Sequence, residues 1–291
     1  MAIESTKTSG NVFNINRNAI HGHNQVNKHD VSEFDTKVLV TRDPYTRLFS
    51  AFIDKYFLLG SLGRSFMKAV GVGPYEHDGS TCGYNVTFYQ FLDKVTRTAL
   101  AGSKMNEHFI PVSDLCDICG IKYDMLSRQE SLNRDMLYLL DKVNLTETKR
   151  AAIKTATSPK GIKQTIHSLI ASYLSDYTNY QKDCPSRVLH MEKVWATLQI
   201  QGHVSKDALF PKHLFENSFD FKADNITSII LRYIESYPMT DIMKKQQRAM
   251  FVRRAYENVN DETIKKIQIV FMRDFIFLGY DIEPPHRRLS E

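Results

Sequence analysis

The clearest pattern of apolar and polar positions lies between residues 37 and 57. Lys37 to Val40 reads KVLV, a short β-branched, apolar run of the length of a buried strand. Asp43-Pro44 follows, and proline is well placed at the first position of a helix. From there Leu48, Phe49, Phe52, Ile53, Tyr56 and Phe57 recur at helical spacing, which predicts one apolar stripe. A second helix is predicted over 87–100, where Phe88, Phe91, Leu92 and Val95 share a face. Residues 106–140 read as a loop, a short strand at Ile121 to Met125 and a helix from Ser131. Residues 147–182 are helical and Lys-rich, broken at Ser158-Pro159-Lys160-Gly161; beyond the break Ile162, Ile166, Leu169, Ile170, Tyr173 and Leu174 form an amphipathic face. The pattern is mixed from 185 to 225. The C-terminal third predicts helices over 226–237 and 261–278, with Pro284-Pro285 ending the ordered chain. Residues 1–35 read as an irregular arm, and the glycine-punctuated stretch 60–83 as a long loop with a short helix at Phe66 to Val70. Strand followed by helix, with more helix than strand, points to an α/β fold.

Composition narrows the classes. Over 291 residues, 42% apolar and 24% charged usage is ordinary for a globular protein and excludes wholesale disorder. A net charge of +5 favours an anionic ligand but is far below that of a dedicated nucleic-acid binder, so no nucleic-acid partner is expected. No run approaches 18 apolar residues and the N-terminus lacks a secretory core, so the chain itself is expected to make no membrane contact. Sequons at Asn85, Asn144 and Asn225 occur at about the chance level and decide nothing.

The strongest chemical signal is VLVTRDPYTRLFSAFIDKYF at 38–57. In open α/β sheets, ligands gather at the carboxyl ends of strands, where helix N-termini offer N–H groups to anions. Arg42 sits at that end with a planar fork suited to phosphate, Ser50 lies about two turns on, and Arg47 neighbours Ser50 on the helix surface. On spacing alone the plainer reading, a solvated arginine on the connection and a helix serine packed on the sheet, is the favoured one. Cys116-x-x-Cys119 lacks the second ligand pair a zinc site needs, and no metal is expected. The basic run at 149–163 reads as a solvated helical face rather than a glycan contact.

Residues 38–57 resemble the 3′-phosphate-binding motif of carbohydrate sulfotransferases, most nearly the Golgi chondroitin/dermatan 4-O-sulfotransferase type. Arg42, Asp43, Pro44, Arg47, Leu48, Ser50 and Ala51 meet its fixed positions, and Lys55 matches as well. Two further blocks are similar to that family: Asn106-Glu107-His108 through Asp124, with Phe109 in place of Trp, and FMRDFIFLGYDIEPP at 271–285. The resemblance implies a helix-rich, P-loop-like sulfotransferase fold with a parallel sheet, a single domain over 36–291 and a helical insertion around 145–225. It implies sulfuryl transfer from 3′-phosphoadenosine-5′-phosphosulfate to a glycan hydroxyl on a proteoglycan or glycoprotein, in the Golgi lumen. Arg42 and Ser50 would hold the donor's 3′-phosphate, with Arg47 and Lys55 supporting the helix or the anion field. The base would be a histidine, with His23 or His21 first and His108 second. A luminal setting implies a structural disulfide among Cys82, Cys116, Cys119 and Cys184, with the pairing open. The family's first strand, its Pro-Lys 5′-phosphosulfate loop and its membrane anchor find no match ahead of Lys37. That implies either a longer enzyme whose beginning is missing or a catalytically inactive sulfotransferase-like module that binds glycan or nucleotide.

Overall fold

The structure is a computed structural model that describes residue 31 and residues 36–58, 86–143, 145–151, 161–181, 184–216 and 220–288. The predicted helix at 66–70 and most of the arm at 1–35 lie outside the described residues. The chain divides into two compact units, one of Met1–Arg42 with Val112–Ser168 and one of Asp43–Pro111 with Leu169–Glu291.

In the first unit, β1 (Val38–Thr41) pairs in parallel with β2 (Met125–Arg128), Val38 opposite Met125 and Thr41 opposite Arg128. The pairing starts where Asp124 and Met125 both donate backbone N–H bonds to the Lys37 carbonyl, at 2.9 and 3.2 Å. β2 therefore begins where the predicted strand at Ile121 to Met125 was to end. The reason is a turn: Asp117, with φ of 44°, accepts backbone bonds from Gly120 and Ile121, and Tyr123 Oη donates to the Cys116 carbonyl at 2.7 Å. The apolar Ile121 is consumed in that turn. β1 alternates, with Leu39 and Thr41 buried and Val40 exposed, so the apolar run is a one-sided strand. The short α3 (Val112–Leu115) precedes β2, and α4 (Leu132–Lys142) follows it. Asp135 on α4 accepts Ser127 Oγ at 3.0 Å, joining helix to strand.

The second unit is built on aromatic packing. α1 (Pro44–Phe52) passes without a break into a π-helical turn, Ile53–Phe57, closed by the Leu58 N–H to the Ile53 carbonyl at 3.1 Å. α2 (Phe88–Leu100) starts at a full capping box made by Thr87 and Gln90. Tyr45, Phe49, Phe52, Phe88, Phe91, Tyr256, Phe271 and Phe275 form the buried core. Tyr256 meets both Tyr45 and Phe88 edge-on, at 5.2 and 5.0 Å, the arrangement ring quadrupoles favour. Its hydroxyl, fully enclosed, donates to the Tyr45 carbonyl at 2.9 Å.

The remaining helices are α5 (Ile162–Tyr180), α6 (Arg187–Ile200), α7 (Ala223–Ser236), α8 (Asp241–Glu257), α9 (Asp261–Val270) and α10 (Met272–Leu278). Three differ from expectation. The single helix expected over 261–278 is two, broken at Phe271, whose φ of −102° and ψ of 15° leave the helical range while its ring fills the core. α6 was hidden because its buried residues His190, Met191, Val194, Trp195, Thr197 and Leu198 mix polar with apolar types. α8 was hidden because it buries a glutamine: Gln247 Nε2 donates to the carbonyls of Gln199 and Val204 at 2.6 and 2.8 Å, and its Oε1 accepts the Lys206 N–H at 2.8 Å. Nor does Pro284-Pro285 end the ordered chain, because residues to Arg288 return to α1. Cys184 is disulfide-bonded, whereas Cys116 and Cys119 are outside any disulfide, so the CxxC pair is not one.

Candidate functional site

Arg42 is the residue after β1 and is half-buried, as the last residue of the first unit. The second unit opens with Asp43, which caps α1: its Oδ1 accepts the Thr46 N–H at 2.8 Å, with Pro44 in the first turn. Ser50 lies half-buried on α1, and its hydroxyl makes no hydrogen bond among the described residues.

Arg47, also on α1, reaches sideways. Its guanidinium donates to the Ile110 carbonyl and, at 3.2 Å, to that of Glu107. It thereby fastens the loop 106–110, the second of the sequence blocks, to the helix that carries Ser50. Phe109 anchors the same loop from below, buried edge-on against Phe91 at 5.1 Å, so the aromatic position survives the change from Trp to Phe.

Between those two anchors stands His108, partly exposed. Its Nδ1 lies 2.6 Å from Asn106 Oδ1, which also accepts the His108 backbone N–H at 3.0 Å. An amide oxygen only accepts, so Nδ1 carries the proton and Nε2 presents its lone pair. Burial pulls the imidazole below its ordinary value, and the positive charge of Lys55 pulls it further; Glu107 and Asp54 oppose, and Arg47 adds a smaller push down. Lys55 lies in the π turn and pairs with Asp54 at 2.9 Å. Such turns are frequent at functional sites because they re-aim side chains within an otherwise regular helix.

The second unit thus brings Arg47, Lys55 and His108 together, with Ser50 on the same helix as Arg47. Arg42 belongs to the first unit, and His21 and His23 lie outside the described residues. Sequence reasoning missed two contributors. Asn106, which sets the His108 tautomer, was visible only as one letter of a matching block. Arg288 lies beyond the two prolines; its Nη2 donates to Asp43 Oδ2 and to the Asp281 carbonyl, both at 2.9 Å, and its Nε to the Glu283 carbonyl at 2.7 Å. Among the described residues, no group of three or more His, Cys, Asp or Glu is placed to hold a metal ion.

A family model described as "Sulfotransferase family" matches residues 4–191. Carbohydrate sulfotransferase 14 of Danio rerio is 26% identical over 168 residues, 52% of this chain and 44% of that protein. Carbohydrate sulfotransferase 12 of Xenopus laevis is 32% identical over 121 residues, covering 38% and 29% of the two chains. Carbohydrate sulfotransferase 9 of Homo sapiens is 27% identical over 189 residues, covering 60% and 42%. The chain spans less than half the length of these curated relatives. No solved structure matches it. Among the described residues, no helix is long and apolar enough to cross a membrane. The family match takes in every residue from Arg42 to His108 considered above, and the helix-rich structure with its small parallel sheet is compatible with it: the chain belongs to the sulfotransferase family.

Proposed function

We propose that the chain transfers a sulfuryl group from 3′-phosphoadenosine-5′-phosphosulfate to a glycan hydroxyl by in-line displacement. The observation that carries this is the state of His108: proton fixed on Nδ1 by Asn106, lone pair on Nε2, and protonation disfavoured by burial and by Lys55. An imidazole held neutral near physiological pH is a general base for an alcohol. In this reading His108 Nε2 takes the proton of the acceptor hydroxyl as its oxygen attacks sulfur, the S–O bond to the 5′-phosphate breaks and 3′,5′-adenosine bisphosphate leaves. Arg42 and Ser50 hold the donor's 3′-phosphate, which fits the uncommitted Ser50 hydroxyl and the planar fork of arginine. Arg47 keeps the base-bearing loop in place, and Lys55 contributes to the anion field and keeps His108 neutral. The donor supplies a sulfuryl group activated by its bond to phosphate, and catalysis consists of positioning and charge stabilisation.

Family resemblance further supports a P-loop-like domain with the 145–225 helices as an insertion, a luminal Golgi setting, and a proteoglycan or glycoprotein acceptor selected by that insertion or by residues 60–85. Titration with 3′,5′-adenosine bisphosphate tests the reading. Loss of a charge-assisted phosphate contact in Arg42→Ala should cost ~1.5–3 kcal/mol, about 10- to 150-fold in affinity. Indistinguishable binding by wild type and Arg42→Ala would remove the 3′-phosphate assignment. His108→Ala should bind nucleotide normally and lose transfer, while His21→Ala and His23→Ala retain it. Nucleotide binding without transfer by the wild type to any glycan would instead identify a non-catalytic binding module.

A further inference from the structure

We infer that the second unit carries a separate binding site for a small aromatic carboxylate, in the cleft between Phe57 and α6. The inference goes beyond the transfer reaction and does not rest on it. The cleft has a volume of about 210 Å³ and is lined, among the described residues, by Phe57, Leu189, Glu192, Lys193 and Ala196. None of Arg47, Ser50, Lys55 or His108 is among them. Along α6, Leu189, Lys193 and Ala196 follow at i, i+4 and i+7, so one helix face forms the floor. Phe57, at the end of the π turn, supplies the wall. The small side chain of Ala196 leaves the space open.

Lys193 gives this apolar cleft its chemistry. A lysine ammonium has three N–H donors. Lys193 Nζ directs one to the Phe57 carbonyl at 3.0 Å and lies 5.3 Å from the centroid of the Phe57 ring. Among the described residues, no carboxylate pairs with it. Burial pulls its pKa from 10.5 down to about 8, with no neighbouring anion to hold it up. At pH 7 the group is still an ammonium, so the cleft holds a positive charge that lacks a counter-ion. A carboxylate supplies that charge, with two oxygens for the two remaining N–H groups. An apolar cavity of ~150 Å³ accommodates benzene, so this cleft has room for one ring and its acid group. Glu192 also lines the cleft, but it is exposed, and solvent screens its repulsion of the ligand.

The test is a titration of the full chain at pH 7 with sodium benzoate and with its neutral isostere benzamide, read by saturation-transfer NMR. Wild type should bind benzoate about tenfold or more tightly than benzamide, the contribution of one charge-assisted contact. Lys193→Met keeps the length of the side chain and should bind the two equally. Ala196→Leu fills the cleft without touching the charge and should weaken both by about tenfold or more. Equal affinity of wild type for benzoate and benzamide would overturn the inference, as would no detectable benzoate binding. A preference for benzoate that survives in Lys193→Met would overturn it too, because another cation would then be the partner. Should either variant lose its cooperative melt, the other decides alone, and wild-type benzoate affinity in it sinks the inference.

Discussion

His108 stands between charges of opposite sign, Lys55 and Arg47 on one side and Glu107 and Asp54 on the other, and burial sides with the cations. Only the neutral ring can act as base, so the acid limb of the pH–rate profile should lie below the ordinary imidazole value of 6.5. Lys55→Met removes a nearby positive charge, makes the imidazolium easier to form and should move that limb to higher pH. Glu107→Gln removes a stabilising anion and should move it to lower pH. Sulfate transfer measured between pH 5 and 8 checks both directions, and movement of the limb the same way in both variants would remove His108 as the titrating base. Part of this residue-level picture was legible in the sequence, because Arg47, Lys55 and His108, which the second unit brings together, stand in blocks marked by their types and order, although His23 and His21 ranked ahead of His108 as base. The Asn106–His108 bond was not, since it depends on two side chains facing one another across a turn. Arg288 was not legible either, because two prolines before it read as an end.

At the scale of elements, the telling connection is Arg47 joining α1 to the loop 106–110. Arg47→Ala strands two backbone carbonyls and should lower unfolding free energy by about 1–3 kcal/mol, measured by denaturant titration. Arg47→Lys should recover only part of that, because an ammonium cannot fork between two acceptors as guanidinium does. Stability unchanged in Arg47→Ala would show that the loop is held by Phe109 alone. Elements with a clean apolar signature were legible: β1, α1 and α2 stand where an apolar run or an apolar stripe placed them, although β1 is one-sided rather than fully buried. α6 and α8 were not, because His190, Thr197 and Gln247 occupy inward positions that a period search scores as polar. The π turn had no signature, since Asp54 and Lys55 continue an ordinary helical pattern.

For the molecule as a whole, acid should be destabilising for a reason outside the candidate site. His190 is 2% exposed, stacked on Tyr177 at 4.6 Å, and burial lowers its pKa to about 4 from 6.5. Between those values the unfolded chain binds a proton that the folded chain refuses, so stability falls as pH drops through that window, by up to about 3 kcal/mol. His190→Phe keeps the ring stacking and should flatten the dependence between pH 6.5 and 4, read from denaturant midpoints. An unaltered slope would place the acid sensitivity elsewhere. The closure of the second unit by its last residues has a further consequence, for biosynthesis. Tyr45 waits for the Tyr256 hydroxyl and the Ile282 carbonyl, 211 and 237 residues downstream. During translation the rings of α1 and α2 leave the ribosome long before the helices that cover them. Their full burial therefore waits until those helices have emerged, and a chain stopped short of Tyr256 would present those aromatics to chaperones instead of to the helices that cover them.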